Sequence, residues 1–345
     1  MKKKQALFLV VVAAVLAFLV YLQVQHWRRF DWGKFAEQTN QVRWGMVVAG
    51  IAMIYLADAL RAWRWAIFLR PVRKVEAHTL IGTQFIGFTG LALLGRLGEL
   101  IRPYLVARKL KLSFSSQMAV WSVERIFDTG AVAVLTSFAL FSSSSVKHLE
   151  HYQQLPKIGI ALVVFVLGGI VVAYLVRRFN ALIAQWIKSA FHRFPSLGER
   201  LASRVVAFGE GLHTLHDAPS FFASAALSLT IWILVSFSYL LITHAYPAPL
   251  NALTWTHAVI LMGFSIAGGV LQLPMVGGGS QFMTIAALTY FFQIPAEMAV
   301  NCGILLWLST FMSVIPMGLI YAHLEKVSFS QLTKESQQTE ESLVH

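Results

Sequence analysis

The chain has 345 residues, of which 57% are hydrophobic and only 13% are charged. Soluble proteins carry roughly a quarter charged residues. The composition therefore excludes an ordinary soluble enzyme and predicts an all-α polytopic membrane protein. The formal net charge of +12 does not predict a nucleic-acid partner, because the basic residues lie in short segments beside apolar runs. Such segments are typical of cytoplasmic loops that face anionic headgroups.

About six apolar runs come near the roughly 20 residues that a helix needs to cross a bilayer: Met1–Leu22, Trp44–Leu69, Met118–Phe141, Ile158–Val176, Phe221–Ala245 and Ala299–Ala322. The first run begins with three lysines but lacks a small-residue cleavage site, so we expect an uncleaved helix with a cytoplasmic N-terminus. Residues 1–325 are predicted to form one transmembrane domain. The polar tail 326–345 is predicted to be disordered and cytoplasmic.

Two further apolar segments are interrupted. Thr79–Gly95 contains four glycines and runs into a charged turn, and His257–Phe292 is broken by Pro274 and Gly277–Gly279. Irregular backbone at membrane depth is tolerated only where protein or a cavity satisfies it. We predict two re-entrant hairpins, the first from the cytoplasmic side and the second from outside. Residues 44–141 and 221–323 would then form an inverted repeat, counted as eight helices if the hairpins span the membrane.

Residues 177–220 are the largest basic loop. Apolar side chains within it fall on one helical face in two places, at 183–194 and again at 201–215. This pattern predicts two amphipathic helices on the inner membrane surface.

The second apolar run carries Asp58, Arg61 and Arg64 at spacings of three, which places them on one helical face. Asp58 can partly neutralise Arg61. Two interpretations stay open at this point. The arginines snorkel near the cytoplasmic end of the helix, with Trp63 and Trp65 as interface anchors, or they form a cationic wall for a lipid phosphate.

A second group of charges surrounds the first break. Glu124 and Asp128 lie four residues apart on one helical face, where two carboxylates repel each other unless a cation or a proton intervenes. The nearest cations are Arg125, Arg96 and Arg102. The group is either a structural ion-pair network that locks the hairpin, or it contains a carboxylate that exchanges its arginine for a proton or a headgroup during transport.

These motifs also carry a family resemblance. Gly95-Arg96-Leu97-Gly98-Glu99 with Arg102-Pro103, then Glu124-Arg125 and Asp128, then Pro274 with the glycine run, resemble the transmembrane region of lysylphosphatidylglycerol synthases over residues 5–325. The resemblance implies handling of lipids, since bifunctional members flip aminoacylated phosphatidylglycerol and many stand-alone members are flippase-like. No aminoacyl-transferase domain follows residue 325, so we expect no lipid synthesis. The family pattern has a Glu after the glycines, where Gln281 carries no charge.

The leading hypothesis is a lipid translocase of a bacterial or archaeal inner membrane. A cavity between the two hairpins would admit the anionic headgroup of a phospholipid, an aminoacylated phospholipid or a polyprenyl phosphate, because Arg binds phosphate bidentately and stays charged. The predicted substrate-binding residues are Arg96 and Arg102 at the phosphate, Arg61 and Arg64 guiding access, and Gly277, Gly278, Gly279 and Gln281 at the second break. The predicted coupling or structural network is Asp58, Glu99, Glu124, Arg125 and Asp128.

Other chemistry has little support in the sequence. The single cysteine, Cys302, excludes an intrachain disulfide, and no metal or nucleotide motif occurs, so we expect no metal and no cofactor. Uphill transport would then use an ion gradient or the membrane potential. Two alternatives remain: a membrane enzyme acting on a lipid-linked phosphate, with Glu124 or Asp128 as general base, and a lipid-binding scaffold subunit of an envelope-assembly complex. Small-residue surfaces would allow a homodimer.

Overall fold

A computed structural model describes residues 31–142, 155–192, 195–212, 218–269 and 278–327. The predicted first helix, Pro274, Gly277 and nearly all of the predicted disordered tail lie outside these residues. The regular elements within the described ranges are all helices. The predicted all-α class is therefore confirmed.

Residues 31–142 contain five α-helices, and a 3₁₀ turn at Gly95–Leu100 joins the third to the fourth. They are α1 (Trp32–Asn40), α2 (Trp44–Leu69), α3 (His78–Leu94), α4 (Ile101–Leu110) and α5 (Phe114–Ser142). Pro103 lies in the first turn of α4, where a missing backbone N–H costs no helical hydrogen bond.

The rest of the described chain adds seven α-helices and two π-helical turns, Ala287–Phe291 and Leu308–Met312. The helices are α6 (Leu155–Ala190), α7 (Pro195–Leu212), α8 (Ala218–His244), α9 (Trp255–Gly268), α10 (Gly279–Ala286), α11 (Ala296–Trp307) and α12 (Val314–Leu324). Helix α9 begins with a capping box between Thr254 and His257, which satisfies backbone donors of its first turn.

Four helical segments of the described chain are long and apolar enough to cross a membrane. They are Trp44–Leu69, Ser116–Ser142, Ala218–His244 and Ala296–Leu324, and they coincide with four of the predicted runs. Helices α3 and α9 are apolar but shorter. The chain therefore has the helices of a multi-pass membrane protein, with two short apolar helices at the predicted breaks.

Both interrupted segments fold back on themselves. Helix α3 packs on α4, and α9 packs on α10. One glycine in each segment has the same backbone conformation, since Gly95 has φ 63° and ψ −142° and Gly278 has φ 68° and ψ −139°. Glycine adopts such angles far more readily than other residues. The breaks predicted from the glycines are thus helical hairpins at corresponding places in the two halves.

The two halves pack into one core. Helix α2 packs along α8, and α12 packs along α3. The largest cluster of buried apolar side chains draws on both halves, from Ile54 on α2 to Leu261 on α9 and Leu306 on α11. The Tyr55 hydroxyl also donates to the Ser313 carbonyl at 2.6 Å. Residues of both hairpins, such as Phe85 on α3 and Leu261 on α9, therefore belong to the same core.

The basic loop differs in one respect from the prediction of two separate amphipathic helices. The first predicted segment is the continuation of α6, which departs from helical geometry only at Phe179 (φ −129°, ψ 25°). This joint directly follows Arg177 and Arg178, where the apolar run ends. The second segment is α7, which packs against α6.

Candidate functional site

Helices α2, α4 and α5 bury a group of charged side chains. Asp58, Arg61, Arg64, Arg102, Glu124 and Asp128 are each exposed by no more than 8%. A buried charge is tolerated only when an opposite charge and hydrogen bonds compensate it. A charged group whose hydrogen bonds are all made within the protein is not free to bind another molecule. The pairing of these six groups therefore decides which of them can bind a ligand.

Both carboxylate oxygens of Glu124 accept hydrogen bonds. Its Oε1 accepts hydrogen bonds from Arg64 Nη2 at 2.7 Å and from Arg102 Nη1 at 3.1 Å. Its Oε2 accepts from Trp65 Nε1 at 2.8 Å and from Arg102 Nη2. Both oxygens thus hold two donors each, and the carboxylate ties α2 and α4 to α5.

Asp128 is held in the same way, one helical turn further along α5. It accepts hydrogen bonds from Arg64 Nη1 at 2.7 Å, Arg125 Nη2 at 2.9 Å and Trp232 Nε1 at 3.1 Å. Arg64 Nη1 also donates to Ser228 Oγ at 2.6 Å. Arg64 is fully buried, and both of its terminal nitrogens are bonded inside the protein.

Arg102 completes the network on the hairpin side. Besides Glu124, its guanidinium bonds Gln84 Oε1 at 3.1 Å and lies over the Trp65 ring at 4.8 Å. A Cβ at Gly87 would lie 2.5 Å from the Arg102 Cβ, so α3 approaches α4 closely at this point. Ion pairs therefore connect the first hairpin and α2 to α5, with Arg64, Arg102 and Arg125 as the cations.

Asp58 and Arg61 form a separate and incomplete pair. Arg61 Nη1 donates to Asp58 Oδ1 at 2.7 Å. Asp58 Oδ2 and Arg61 Nε are buried and have no hydrogen-bond partner. The Arg61 guanidinium rests over the Phe88 ring at 5.2 Å and the Trp232 ring at 5.4 Å. Arg61 thus bonds one side chain through Nη1, whereas both terminal nitrogens of Arg64 and of Arg102 are bonded within the network.

A cavity of about 300 Å³ lies between the two hairpins, next to this pair. The charged residues of its lining come from the first half, whereas the second-half wall is neutral and carries hydroxyl and amide groups among apolar side chains. The first-half wall includes Asp58, Arg61, Phe88, Glu99 and Arg125, and the second-half wall includes Tyr239, Ser265, Ser280, Gln281, Thr284 and Thr310.

The neutral wall is a connected set of hydroxyl groups. The Tyr239 hydroxyl donates to Ser265 Oγ at 2.8 Å, and Ser265 Oγ and Ser280 Oγ are 2.7 Å apart. Thr284 Oγ1 bonds the Ser280 carbonyl at 2.8 Å. The two sides of the cavity therefore offer a guanidinium opposite hydroxyls and the Gln281 amide.

The family model of the lysylphosphatidylglycerol synthase TM region matches residues 6–318. The chain belongs to this family. It is therefore a multi-pass membrane protein involved in lipid handling. No curated protein and no solved structure matches the chain.

In this member of the lysylphosphatidylglycerol synthase TM region family, the predicted site residues fall into three groups. Asp58, Arg61, Glu99, Arg125 and Gln281 line the cavity. Arg64, Arg102, Glu124 and Asp128 belong to the buried network. Gly278 and Gly279 open α10, whereas the Arg96 side chain and Gly277 lie outside the described residues.

Several side chains of the site were absent from the sequence prediction. They are Gln84, Ser228 and Trp232 in the network and the hydroxyl groups of the neutral wall. Ser224, Ser228 and Trp232 recur every fourth residue on α8, a signal that could have predicted a polar stripe. Trp65, predicted as an interface anchor, is instead buried and bonds Glu124, while Trp63 is 53% exposed.

Proposed function

We propose that this protein is a lipid translocase that passes an anionic headgroup through the cavity between the hairpins while the acyl chains stay in the bilayer. The observation that carries the proposal is the cavity itself. One half lines it with Arg61 and Arg125 together with Asp58 and Glu99, and the other half lines it with neutral side chains that include hydroxyl groups. Its volume of about 300 Å³ is at the lower end of the range of ligand pockets. It suits a headgroup and excludes a whole lipid.

Arg61 is the phosphate ligand in this proposal. It lines the cavity, and its one hydrogen-bond partner among the described residues is Asp58. Arginine binds phosphate through two parallel N–H groups and keeps its charge when partly desolvated. The sequence hypothesis gave this role to Arg96 and Arg102, with Arg61 and Arg64 guiding access. Because Arg64 and Arg102 are held by Glu124, we assign the phosphate to Arg61 instead.

The neutral wall suggests what else the headgroup carries. Ser265, Ser280 and Thr284 with the Gln281 amide can exchange hydrogen bonds with hydroxyl groups. A phosphate that bears a hydroxylated group, as in phosphatidylglycerol or a sugar-linked polyprenyl phosphate, matches both walls. The membrane would be a bacterial or archaeal inner membrane with both termini cytoplasmic, as the charge distribution predicts.

Arg61→Gln is expected to slow translocation of anionic lipids at least tenfold, since a hydrogen bond to a charged group contributes about 1.5–3 kcal/mol. The measurement is protection of a fluorescent headgroup in proteoliposomes, for phosphatidylglycerol, a polyprenyl phosphate and the zwitterionic phosphatidylcholine. Arg70→Gln is the matched control, because Arg70 is exposed at the end of the same helix. Equal rates in Arg61→Gln and wild-type protein, or equal movement of phosphatidylcholine, would contradict the proposal.

A further inference from the structure

Asp58 differs from the other two carboxylates of the buried group. We infer that Asp58 is a proton-binding site, and that its protonation releases Arg61 to bind the headgroup phosphate. This inference rests on the proposed function and adds the ion that couples to it. The step forms an O–H bond at Asp58 Oδ2 and breaks one ion pair.

The hydrogen bonds single out Asp58. In the described part of the chain, Glu124 accepts from three side chains and Asp128 from three. Asp58 accepts one bond, from Arg61, and its Oδ2 has no partner although the residue is only 2% exposed. Adding a proton to Glu124 or Asp128 would displace arginine donors. A proton on Asp58 Oδ2 displaces no donor from that oxygen, and it removes the charge that attracts Arg61 to Oδ1.

Arg61 has a second position to occupy once Asp58 is neutral. Its guanidinium already lies over the faces of Phe88 and Trp232, and aromatic faces attract cations. Both rings line the cavity. The arginine therefore stays at the cavity wall without its carboxylate, and its unpaired charge attracts an anion.

The other ionisable groups around Asp58 come from every neighbouring element. Arg61 and Tyr55 share its helix, and the groups contributed by other elements are Arg102 on α4, Glu124 and Arg125 on α5, Glu99 on the 3₁₀ turn and Tyr239 on α8. Glu124 keeps its charge because Arg64 and Arg102 bond both of its oxygens. Among the described residues that line the cavity from α9, α10 and α12, none is ionisable.

The test measures protons and lipid binding together. Full-length protein in detergent is titrated with short-chain phosphatidylglycerol in weak buffer that contains a pH indicator. We expect uptake of up to one proton for each lipid bound, with the apparent Kd rising as pH rises, by up to about tenfold per pH unit. In Asp58→Asn, which mimics the protonated carboxyl, the lipid binds with a Kd that does not change with pH and without proton uptake.

The outcomes separate the two proposals. Lipid binding by the wild-type protein without proton uptake overturns the role of Asp58 and leaves the translocase proposal intact. Proton uptake that persists in Asp58→Asn also overturns it, because another group then carries the proton. Absence of lipid binding by folded wild-type protein overturns both. Even if Asp58→Asn does not fold, proton uptake by the wild-type protein still tests the inference.

Discussion

Glu124→Gln is expected to lower the free energy of unfolding by about 3–5 kcal/mol, the usual cost of removing one partner from a buried ion pair. Glu124 is completely buried and neutralises Arg64 and Arg102, which lie on two other helices. Glutamine has nearly the same shape as glutamate but carries no charge. Asp128 is then the remaining carboxylate of the network that can neutralise the two guanidinium groups. The loss is measured as a lower midpoint of thermal unfolding and a lower yield of monodisperse protein in detergent.

Two variants test whether the missing charge is the cause. Glu37→Gln changes an exposed Glu of α1 that accepts a bond from Gln41, and is expected to leave the unfolding midpoint unchanged. The double variant Glu124→Gln with Arg102→Met is expected to recover part of the loss, because it removes the charge that Glu124 compensated. A double variant less stable than Glu124→Gln alone would show that Arg102 stabilises the fold through its contacts with Gln84 and Trp65 rather than through charge.

Gly98→Ala and Gly268→Ala are expected to destabilise the protein by at least 1–3 kcal/mol, the cost of overpacking a close contact. A Cβ at Gly98 would overlap the Gly90 carbonyl, and one at Gly268 would overlap the Gly279 carbonyl. Both obstacles are backbone, which cannot rotate aside as a side chain can. Each substitution thus forces one hairpin open, and thermal unfolding in detergent measures the effect.

The neighbouring Gly269 provides the control. A Cβ there meets no atom within 4 Å, and its backbone angles are helical (φ −61°, ψ −11°). Gly269→Ala is expected to be neutral or slightly stabilising, since Ala restricts the unfolded chain more than Gly does. If Gly268→Ala and Gly269→Ala were equally stable, the close packing of the second hairpin would not contribute to stability.

The sequence was sufficient to predict the long apolar helices and the two breaks. Apolar runs of suitable length mark α2, α5 and α8, and clustered glycines mark both hairpins, because few other residues allow the turn angles of Gly95 and Gly278. The spacing of Asp58 and Arg61 also predicted their pairing, since partners three residues apart share a helical face.

The roles of the arginines could not be predicted in the same way. Arg64 and Glu124 are 60 residues apart in sequence, and no local pattern specifies how α2 is rotated against α5. A rotation of α2 that moves Arg64 to the cavity would fit its spacing from Arg61 equally well. Only the packing of three helices shows that Arg64 is held in the interior and that Arg61 faces the cavity.

The order of these charges along the chain also bears on how the protein enters the membrane during synthesis. Arg64 and Arg102 find their carboxylates at Glu124 and Asp128, so every strong ion pair of the network closes once α5 has left the ribosome. Among the described residues, the later helix α8 adds only neutral partners to this network: the Ser228 hydroxyl accepts from Arg64, and the Trp232 indole donates to Asp128. Because an uncompensated charge in a bilayer is costly, this order lets the first half insert with its charges neutralised before the second half exists.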